Sequence, residues 1–298
     1  MPRTLITGIT GFTGPYVADL LIKRGHAVFG VAHGGARSVI DGVDKIYHAD
    51  ITKPDEIWAV VDEVRPSHVV HLAAISFVAH SDIEEMYRSN VVGTRLLLEA
   101  LSKLSDRPCS VLLSSSANVY GNAREGILDE NMNPAPANDY GVSKLAMEFV
   151  AKIYEDSLPL IVVRPFNYTG RGQGIDFVIP KIVAHARERA ASIELGDLDV
   201  KRDFSDVRAV ADAYVRLLEN PSAIGRTFNV CSGQAHSLRD VIELVEELSG
   251  HRMTIEVNPA YFRENEVKTL YGSNALLTDC IGPLNVLPLI DTLRWMLV

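Results

Sequence analysis

The sequence predicts an α/β protein, a doubly wound parallel sheet followed by a smaller C-terminal lobe. Three observations carry this. Strand-like and helix-like segments alternate from residue 3 to about 165. A glycine-rich turn, Thr7-Gly8-Ile9-Thr10-Gly11-Phe12-Thr13-Gly14, joins the first strand to the first helix. Beyond residue 165 the alternation loosens into short elements and turns.

Taken in order, short apolar runs at 4–7, 27–31, 45–48, 68–72, 110–113 and 160–163 read as strands. Helical spacing of apolar positions lies between them, at 16–24, 55–64, 84–104 and 140–154. In the second half, 193–195, 227–230 and 254–257 read as strands, and 209–218 and 238–248 as helices. Turn-rich stretches fall at 170–174 and 258–265. The expected division is a dinucleotide-binding domain over 1–166 and a substrate lobe over most of 167–298, with some segments returning to the first domain.

The composition bounds the function. A chain of 298 residues with 47% hydrophobic and 22% charged residues buries a sizeable core rather than staying disordered. A net charge of −9 argues against non-specific nucleic-acid or anionic-membrane binding. Cys109, Cys231 and Cys280 are too widely spaced for a disulfide framework or a zinc site, so no metal is expected. The first strand begins at residue 3 and no apolar run approaches ~20 residues. A soluble, cytoplasmic protein without a signal peptide is the expectation.

Glycines between a strand and a helix allow a tight turn and close approach of backbone to a pyrophosphate, which the helix N-terminus then holds. Asp50-Ile51 after the third strand and His71-Leu72-Ala73-Ala74 at the fourth fit this picture. Small residues there let a flat ring lie on backbone, although close helix–sheet packing asks for them equally. Sites for NAD place an acid ~20 residues after the glycine loop to bind the ribose 2′-hydroxyl. No acid occurs between Gly25 and Val39, and Arg37 suits a 2′-phosphate instead. NADP is therefore favoured, with NAD possible.

Tyr140-Gly141-Val142-Ser143-Lys144 lies downstream of Leu113-Ser114-Ser115-Ser116. A free phenol has a pKa of ~10, so it exchanges protons sluggishly at neutral pH. A lysine four residues along a helix shares its face and lowers that value. A nearby serine hydroxyl can hold the oxygen that exchanges the proton. Tyrosine and lysine at this spacing also describe many solvated helix faces. Joined to the glycine loop, they point to proton transfer at an alcohol or carbonyl.

Gly8, Gly11 and Gly14, Asp50, the HLAA of 71–74, Asn90-Val91-Val92-Gly93-Thr94, the SSSANVYG of 114–121 and the YGVSK of 140–144 together resemble one family. It is the extended short-chain dehydrogenases/reductases of the nucleotide-sugar branch. The resemblance implies a Rossmann domain with Ser116, Tyr140 and Lys144 as the catalytic set. It implies cofactor contacts from Gly8, Gly11, Phe12, Thr13, Gly14, Asp50, Ile51, Leu72, Ala73, Ala74, Asn90, Ser114 and Tyr140. Lys144 would also hold the nicotinamide ribose, and Asp50 the adenine region. A homodimer is implied too, the helices of 84–104 and 140–154 pairing as a four-helix bundle. Packing of those faces on their own sheet is the alternative.

The second half contributes Arg164-Pro165-Phe166-Asn167, Gly170-Arg171-Gly172-Gln173, Arg202-Asp203-Phe204 and the 258–267 stretch. Two arginines and an asparagine converging on a cleft suit a diphosphate, whereas one arginine in a turn is ordinarily a surface charge. As a set they resemble the GDP-mannose 4,6-dehydratase and GDP-4-keto-6-deoxymannose reductase branch. By that resemblance Asn167, Arg202 and Arg263 grip the diphosphate and Glu266 the ribose, while Gln173, Val178 and Lys181 contact the substrate.

Dehydratases of the branch need an acid just after the catalytic hydroxyl; Ala117 and Asn118 stand there instead. The cysteine that fucose-forming epimerase/reductases use at the Asn118 position is missing as well. The resemblance then implies NADPH-dependent reduction of the C4 ketone of a nucleotide-linked 4-keto-6-deoxy sugar, GDP-4-keto-6-deoxy-D-mannose to GDP-D-rhamnose. The alternative is a 4-epimerase like those of UDP-galactose, with tightly bound NAD. The SSSANVYG stretch favours the epimerase, while RPFN, RDF and NVCSG favour the reductase. A nicotinamide-sensing regulator without catalysis has no need of Ser116, Tyr140 and Lys144 together, and ranks last.

Overall fold

Runs such as Thr4-Leu5-Ile6 and Val111-Leu112-Leu113 are apolar at consecutive positions, the pattern of strands covered on both faces. They build the main sheet of the structure, a computed structural model that describes residues 1–34, 39–77, 80–121, 126–261 and 269–298. Its strands are β1 (Arg3–Thr7), β2 (Ala27–Ala32), β3 (Lys45–His48), β4 (His68–His71), β5 (Ser110–Ser114), β6 (Gly126–Leu128), β7 (Leu160–Pro165), β8 (Asn167–Thr169), β9 (Ser192–Leu195), β10 (Lys201–Asp206), β11 (Thr227–Val230), β12 (Ala235–Ser237), β13 (Thr254–Val257) and β14 (Thr269–Gly272). The α-helices are α1 (Gly14–Lys23), α2 (Pro54–Val64), α3 (Ile83–Tyr87), α4 (Thr94–Ser102), α5 (Asp139–Lys152), α6 (Val178–Arg187), α7 (Val207–Leu218), α8 (Leu238–Ser249), α9 (Ala275–Ile281) and α10 (Leu289–Leu297).

The main sheet runs β3-β2-β1-β4-β5-β7-β11, and every pairing in it is parallel. Chain direction across the sheet reverses between β1 and β4. Sheets of this kind take their ligands at such a switch point, outside the carboxyl ends of the strands. Neighbouring residues divide between the two faces. Ile6, Val70 and Leu112 pack under α1 and α7 with Val17, Leu21 and Tyr214. Leu5, Val69 and Val111 pack under α2, α4 and α5 with Ile57, Leu97 and Met147.

Two late segments belong to this first layer system. α7 lies against α1, and β11 extends the sheet beside β7. The run 227–230 is thus an outermost strand of the main sheet, and Phe228 is fully buried in the core beneath α7. The remaining strands form β12-β10-β14-β6, with β8 on β10, and the pair β9–β13. α6, α8 and α10 cover a third core around Ile182, Phe204, Val241 and Leu293.

One helix departs from expectation. The run 84–104 is α3, then a π-helical segment Arg88–Gly93, then α4. Such wide turns turn a side chain out of helical phase and recur at functional sites. Here the buried side chain is Asn90.

Candidate active site

The glycine loop follows β1 and opens α1, whose first turn carries Pro15 where its missing N–H costs nothing. Gly8 has a φ of +70°, and a Cβ on it would lie 2.8 Å from Ala73 N. A Cβ on Gly14 would collide with the Ile9 carbonyl oxygen. Loop and HLAA segment therefore meet backbone to backbone, a cradle that side chains would fill. These residues fit a dinucleotide pyrophosphate at the helix N-terminus. Gly11 N donates to Gly8 O across the turn at 3.0 Å. Phe12 stacks on Tyr168, ring centroids 5.7 Å apart, and Thr13 Oγ1 hydrogen-bonds Tyr168 Oη at 2.8 Å. Tyr168 was not singled out by sequence; its only signal is the aromatic residue after Asn167.

Asp50 Oδ1 accepts from Thr52 N at 2.9 Å and Thr52 Oγ1 at 2.7 Å. Burial pushes its carboxyl up, but the Thr52 hydrogen bonds outweigh that and hold it below the usual carboxylate range. Ile51 is buried beneath Gly93, where a Cβ would come within 2.7 Å of Ile51 Cδ1. Arg37 lies outside the described residues.

His71 ties the strand ends to the π segment. Thr94 Oγ1 donates to Asn90 O at 2.7 Å, so it accepts from His71 Nε2 at 2.8 Å. His71 Nδ1 then accepts from Thr7 Oγ1 at 2.6 Å. Burial, aided by the charge of Lys144, lowers His71 to about 3, so the ring is neutral. Asn90 Oδ1 accepts from Ile75 N at 2.8 Å, and Asn90 Nδ2 donates to Ile75 O and Ser143 Oγ, each at 3.0 Å. Leu72, Ala73 and Ala74 run between these anchors, past Gly8.

Ser116 ends the stretch after β5 and caps a 3₁₀ turn, Ala117–Tyr120, its Oγ accepting from Asn118 N at 3.1 Å. Asn138 caps α5, with Oδ1 accepting from Gly141 N at 2.8 Å. That start places Tyr140 in the first turn and Lys144 one turn on, both buried. Lys144 Nζ donates to Ser114 O at 2.8 Å. Burial lowers the amine to about 8, with nearby Glu148 pulling the other way. Burial likewise raises the Tyr140 phenol above its ordinary value, opposed by a hydrogen bond with Ser116. The sequence expectation that Lys144 lowers this phenol is corrected here: burial is the largest influence and raises it, and the ammonium is turned to the Ser114 carbonyl.

Behind the helix lies a polar network that sequence reasoning missed. Glu148, one turn beyond Lys144, accepts from Arg164 Nε at 2.9 Å and Nη2 at 2.7 Å, and from Ser115 Oγ at 2.5 Å. Arg164 Nη1 donates to Tyr120 Oη at 3.0 Å, which donates to Asn229 Oδ1 at 2.7 Å. The network ties α5 to β5, β7 and β11. The available signals were an acid at helical spacing from Lys144 and an arginine inside an apolar strand.

On the substrate side, Asn167 opens β8 and is exposed, its backbone paired with Phe204 of β10. Arg202 stands on the same β10, opposite Leu270 of β14, with Nη1 donating to Lys201 O at 2.8 Å. The buried carboxylate of Asp203 holds the 229–233 loop through Ser232 N at 2.9 Å and Gly233 N at 2.8 Å. Val178 begins α6; Lys181 in the same helix donates to Glu194 O at 2.8 Å and lies 5.3 Å over the Tyr261 ring. Gln173 instead braces its own turn, accepting from Thr169 Oγ1 at 2.8 Å. It lines a cleft of about 350 Å³ with Arg171 and Arg187, which none of Asn167, Lys181 and Arg202 lines. Arg263 and Glu266 lie outside the described residues. Among the described residues no acidic, histidine or cysteine cluster is arranged for a metal, and no helix is long and apolar enough to cross a membrane.

A glycine loop at the switch point of a doubly wound sheet, facing a buried serine, tyrosine and lysine, defines a nucleotide-sugar short-chain dehydrogenase/reductase. The profile of the family described as GDP-mannose 4,6 dehydratase matches residues 5–282, and the chain belongs to that family. It is an NAD(P)-dependent oxidoreductase by class. A GDP-6-deoxy-D-talose 4-dehydrogenase of Aggregatibacter actinomycetemcomitans is 33% identical, over 94% of this chain and 91% of the relative. A GDP-6-deoxy-D-mannose reductase of Pseudomonas aeruginosa is 34% identical, over 94% and 91%. Among solved structures, a Burkholderia cenocepacia J2315 protein named as a candidate epimerase is 46% identical with a TM-score of 0.93, covering 99% of this chain and 97% of that one. RMD from Pseudomonas aeruginosa, solved with NADPH, is 32% identical with a TM-score of 0.86, covering 100% and 98%.

Proposed function

We propose that the protein uses NADPH to reduce the C4 ketone of a GDP-linked 4-keto-6-deoxy sugar, GDP-4-keto-6-deoxy-D-mannose, to GDP-D-rhamnose. One observation carries the choice of reaction. The residue held against Ser116 is Asn118, whose Nδ2 donates to Ser116 Oγ at 3.2 Å. Dehydration needs a base at that place to take the C5 proton, and an amide is not one. The two curated relatives, named for a 4-dehydrogenase and a reductase of GDP-6-deoxy sugars, support the same reading.

The dihydronicotinamide, when bound, supplies hydride to C4. Tyr140, 8% exposed, is a neutral phenol at pH 7 because burial holds its pKa high, and it therefore acts as the proton donor to the carbonyl oxygen. Ser116 hydrogen-bonds that oxygen. As Tyr140 gives up its proton, the positive charge of Lys144 one turn away stabilises the phenolate. Asn167 and Arg202, on paired strands, hold the diphosphate, and contact with these groups is alike in ground and transition states.

NADP over NAD, a homodimer and a cytoplasmic setting are parts of this reading. The bound NADPH of the Pseudomonas structure supports the first. For the second, Val92 of the π segment, Val142 and Phe149 of α5 and Ile153 just past its end are exposed apolar side chains, and the two elements pack together. A dimeric mass by light scattering at micromolar concentration is the expected result. Reductase and 4-epimerase separate in one experiment with NADPH and GDP-4-keto-6-deoxy-D-mannose. Stoichiometric NADPH oxidation and a product with the rhamno configuration by NMR are expected. A talo product overturns the stereochemistry, and conversion of a nucleotide sugar without NADPH consumption overturns the reduction.

A further inference from the structure

A chain of side-chain amides leads from the start of α5 to the catalytic serine, and its polarity is set by the backbone. Gly141 N can only donate, so the atom of Asn138 that caps the helix at 2.8 Å is its oxygen. The other end of that amide is then Nδ2, which faces Asn118 Oδ1 at 3.3 Å and donates to it. Asn118 must accordingly present Nδ2 to Ser116 Oγ, at 3.2 Å. Asn118 N donates to the same Oγ at 3.1 Å. A hydroxyl has two lone pairs and one proton. With two N–H groups on its lone pairs, Ser116 has only its proton left to offer. The phenol oxygen of Tyr140, its partner in the hydrogen bond described above, receives that proton until the C4 oxygen takes its place.

We infer that Asn138 and Asn118 are positioning residues that hold the Ser116 hydroxyl as an obligatory donor aimed at the substrate's C4 oxygen. The inference rests on the carbonyl-reduction reading and explains why an amide serves there. Negative charge grows on the carbonyl oxygen during reduction, and a donor already facing it needs no reorganisation. A carboxylate at position 118 could only accept, and would draw the serine proton to itself. Burial strengthens the argument, since Ser116 is 5% exposed and water has little access to compete for its lone pairs.

Asn138→Asp separates this role from helix capping. Aspartate caps α5 as well as asparagine does, but it has no N–H to give. Asn118 would then flip its amide toward Asp at 138 and turn its oxygen to Ser116, reversing the hydroxyl. The expected result is a kcat lower by about ten- to a hundred-fold, the loss of one hydrogen bond to a developing charge. The KM values for NADPH and nucleotide sugar and the urea midpoint should stay near wild type. In the Ser116→Ala background the same substitution should be silent, because it acts only through Ser116. Asn118→Asp should add a limb to the pH profile, kcat falling as pH rises through the new carboxyl's titration. Equal costs of Asn138→Asp with and without Ser116, or wild-type kcat in both variants, would overturn the inference. A wild-type enzyme inactive with NADPH and the ketosugar would sink the reduction reading instead. The polarity would still be decided by NMR of nitrogen-15-labelled protein: the Asn118 side-chain amide should shift in Ser116→Ala and in Asn138→Asp, and unchanged resonances would refute it.

Discussion

Arg164→Met should be among the most destabilising substitutions near the site. The Arg164 and Glu148 side chains are 8% and 9% exposed and joined by two hydrogen bonds of 2.9 and 2.7 Å. Removing the guanidinium leaves the Glu148 carboxylate buried with Ser115 as its remaining partner in the network, and strips Tyr120 of a donor. Breaking a buried pair from one side costs about 3–5 kcal/mol, because an uncompensated charge stays behind. Against a typical domain stability of about 5–15 kcal/mol, that is a large share. Replacing both, as Glu148→Leu with Arg164→Met, removes the stranded charge and should cost less than about 2 kcal/mol. Urea unfolding followed by tryptophan fluorescence reads both, since Trp58 packs against the same core as Met147 of α5. A single variant within about 1 kcal/mol of wild type, or a double variant worse than Arg164→Met alone, would refute the reasoning.

Tyr140→Phe removes the acid and leaves the binding surfaces, so steady-state NADPH oxidation should show kcat down by roughly 10²–10⁴ with little change in KM; near-full turnover would place the donor elsewhere. Lys144 has its pKa lowered to about 8 from 10.5, so below pH 8 its buried charge costs about 3 kcal/mol, relieved as pH rises from 8 toward 10.5. Lys144→Met should therefore exceed wild type in stability at pH 7 by more than at pH 10, and a pH-independent difference in urea midpoints counts against this. Gly8→Ala forces a left-handed alanine, about 1–2 kcal/mol of strain, and a contact 2.8 Å from Ala73 N. NADPH affinity by fluorescence titration should fall at least about tenfold by the cradle argument, and unchanged affinity would contradict it. Phe149→Glu places a charge on an exposed apolar face of α5, and should convert the expected dimer to monomer by light scattering without loss of helical circular dichroism.

What was legible in the sequence was local. Strands β1 to β5 and the glycine loop announce themselves by apolar runs and glycine spacing, and Tyr140 and Lys144 share a helix face by spacing alone. Strands β6, β8 and β12 carry only three residues each, too few for any period to register, and they form only by pairing with distant chain. Arg164 shows the limit from the other side. It reads as part of a substrate motif, yet it is 7% exposed and bound to a glutamate on another element. The pKa of Tyr140 was misjudged for the same reason, since spacing reveals a neighbouring charge but not how far burial removes both groups from water.

The π segment at Arg88–Gly93 also constrains how this chain can change in length. A helix advances about 100° per residue, and a wide turn absorbs one residue more than an α-turn holds. Upstream, α3 buries Met86; downstream, α4 buries Leu97, Leu98 and Leu101. Deleting one residue between them could restore regular helix only by swinging one of those faces out of the core, and it would pull Asn90 off Ile75. Insertions in surface turns should leave the site untouched, whereas gain or loss of a residue in this stretch should disrupt it. Its odd residue is the phase correction that lets one helix serve the core and the site together.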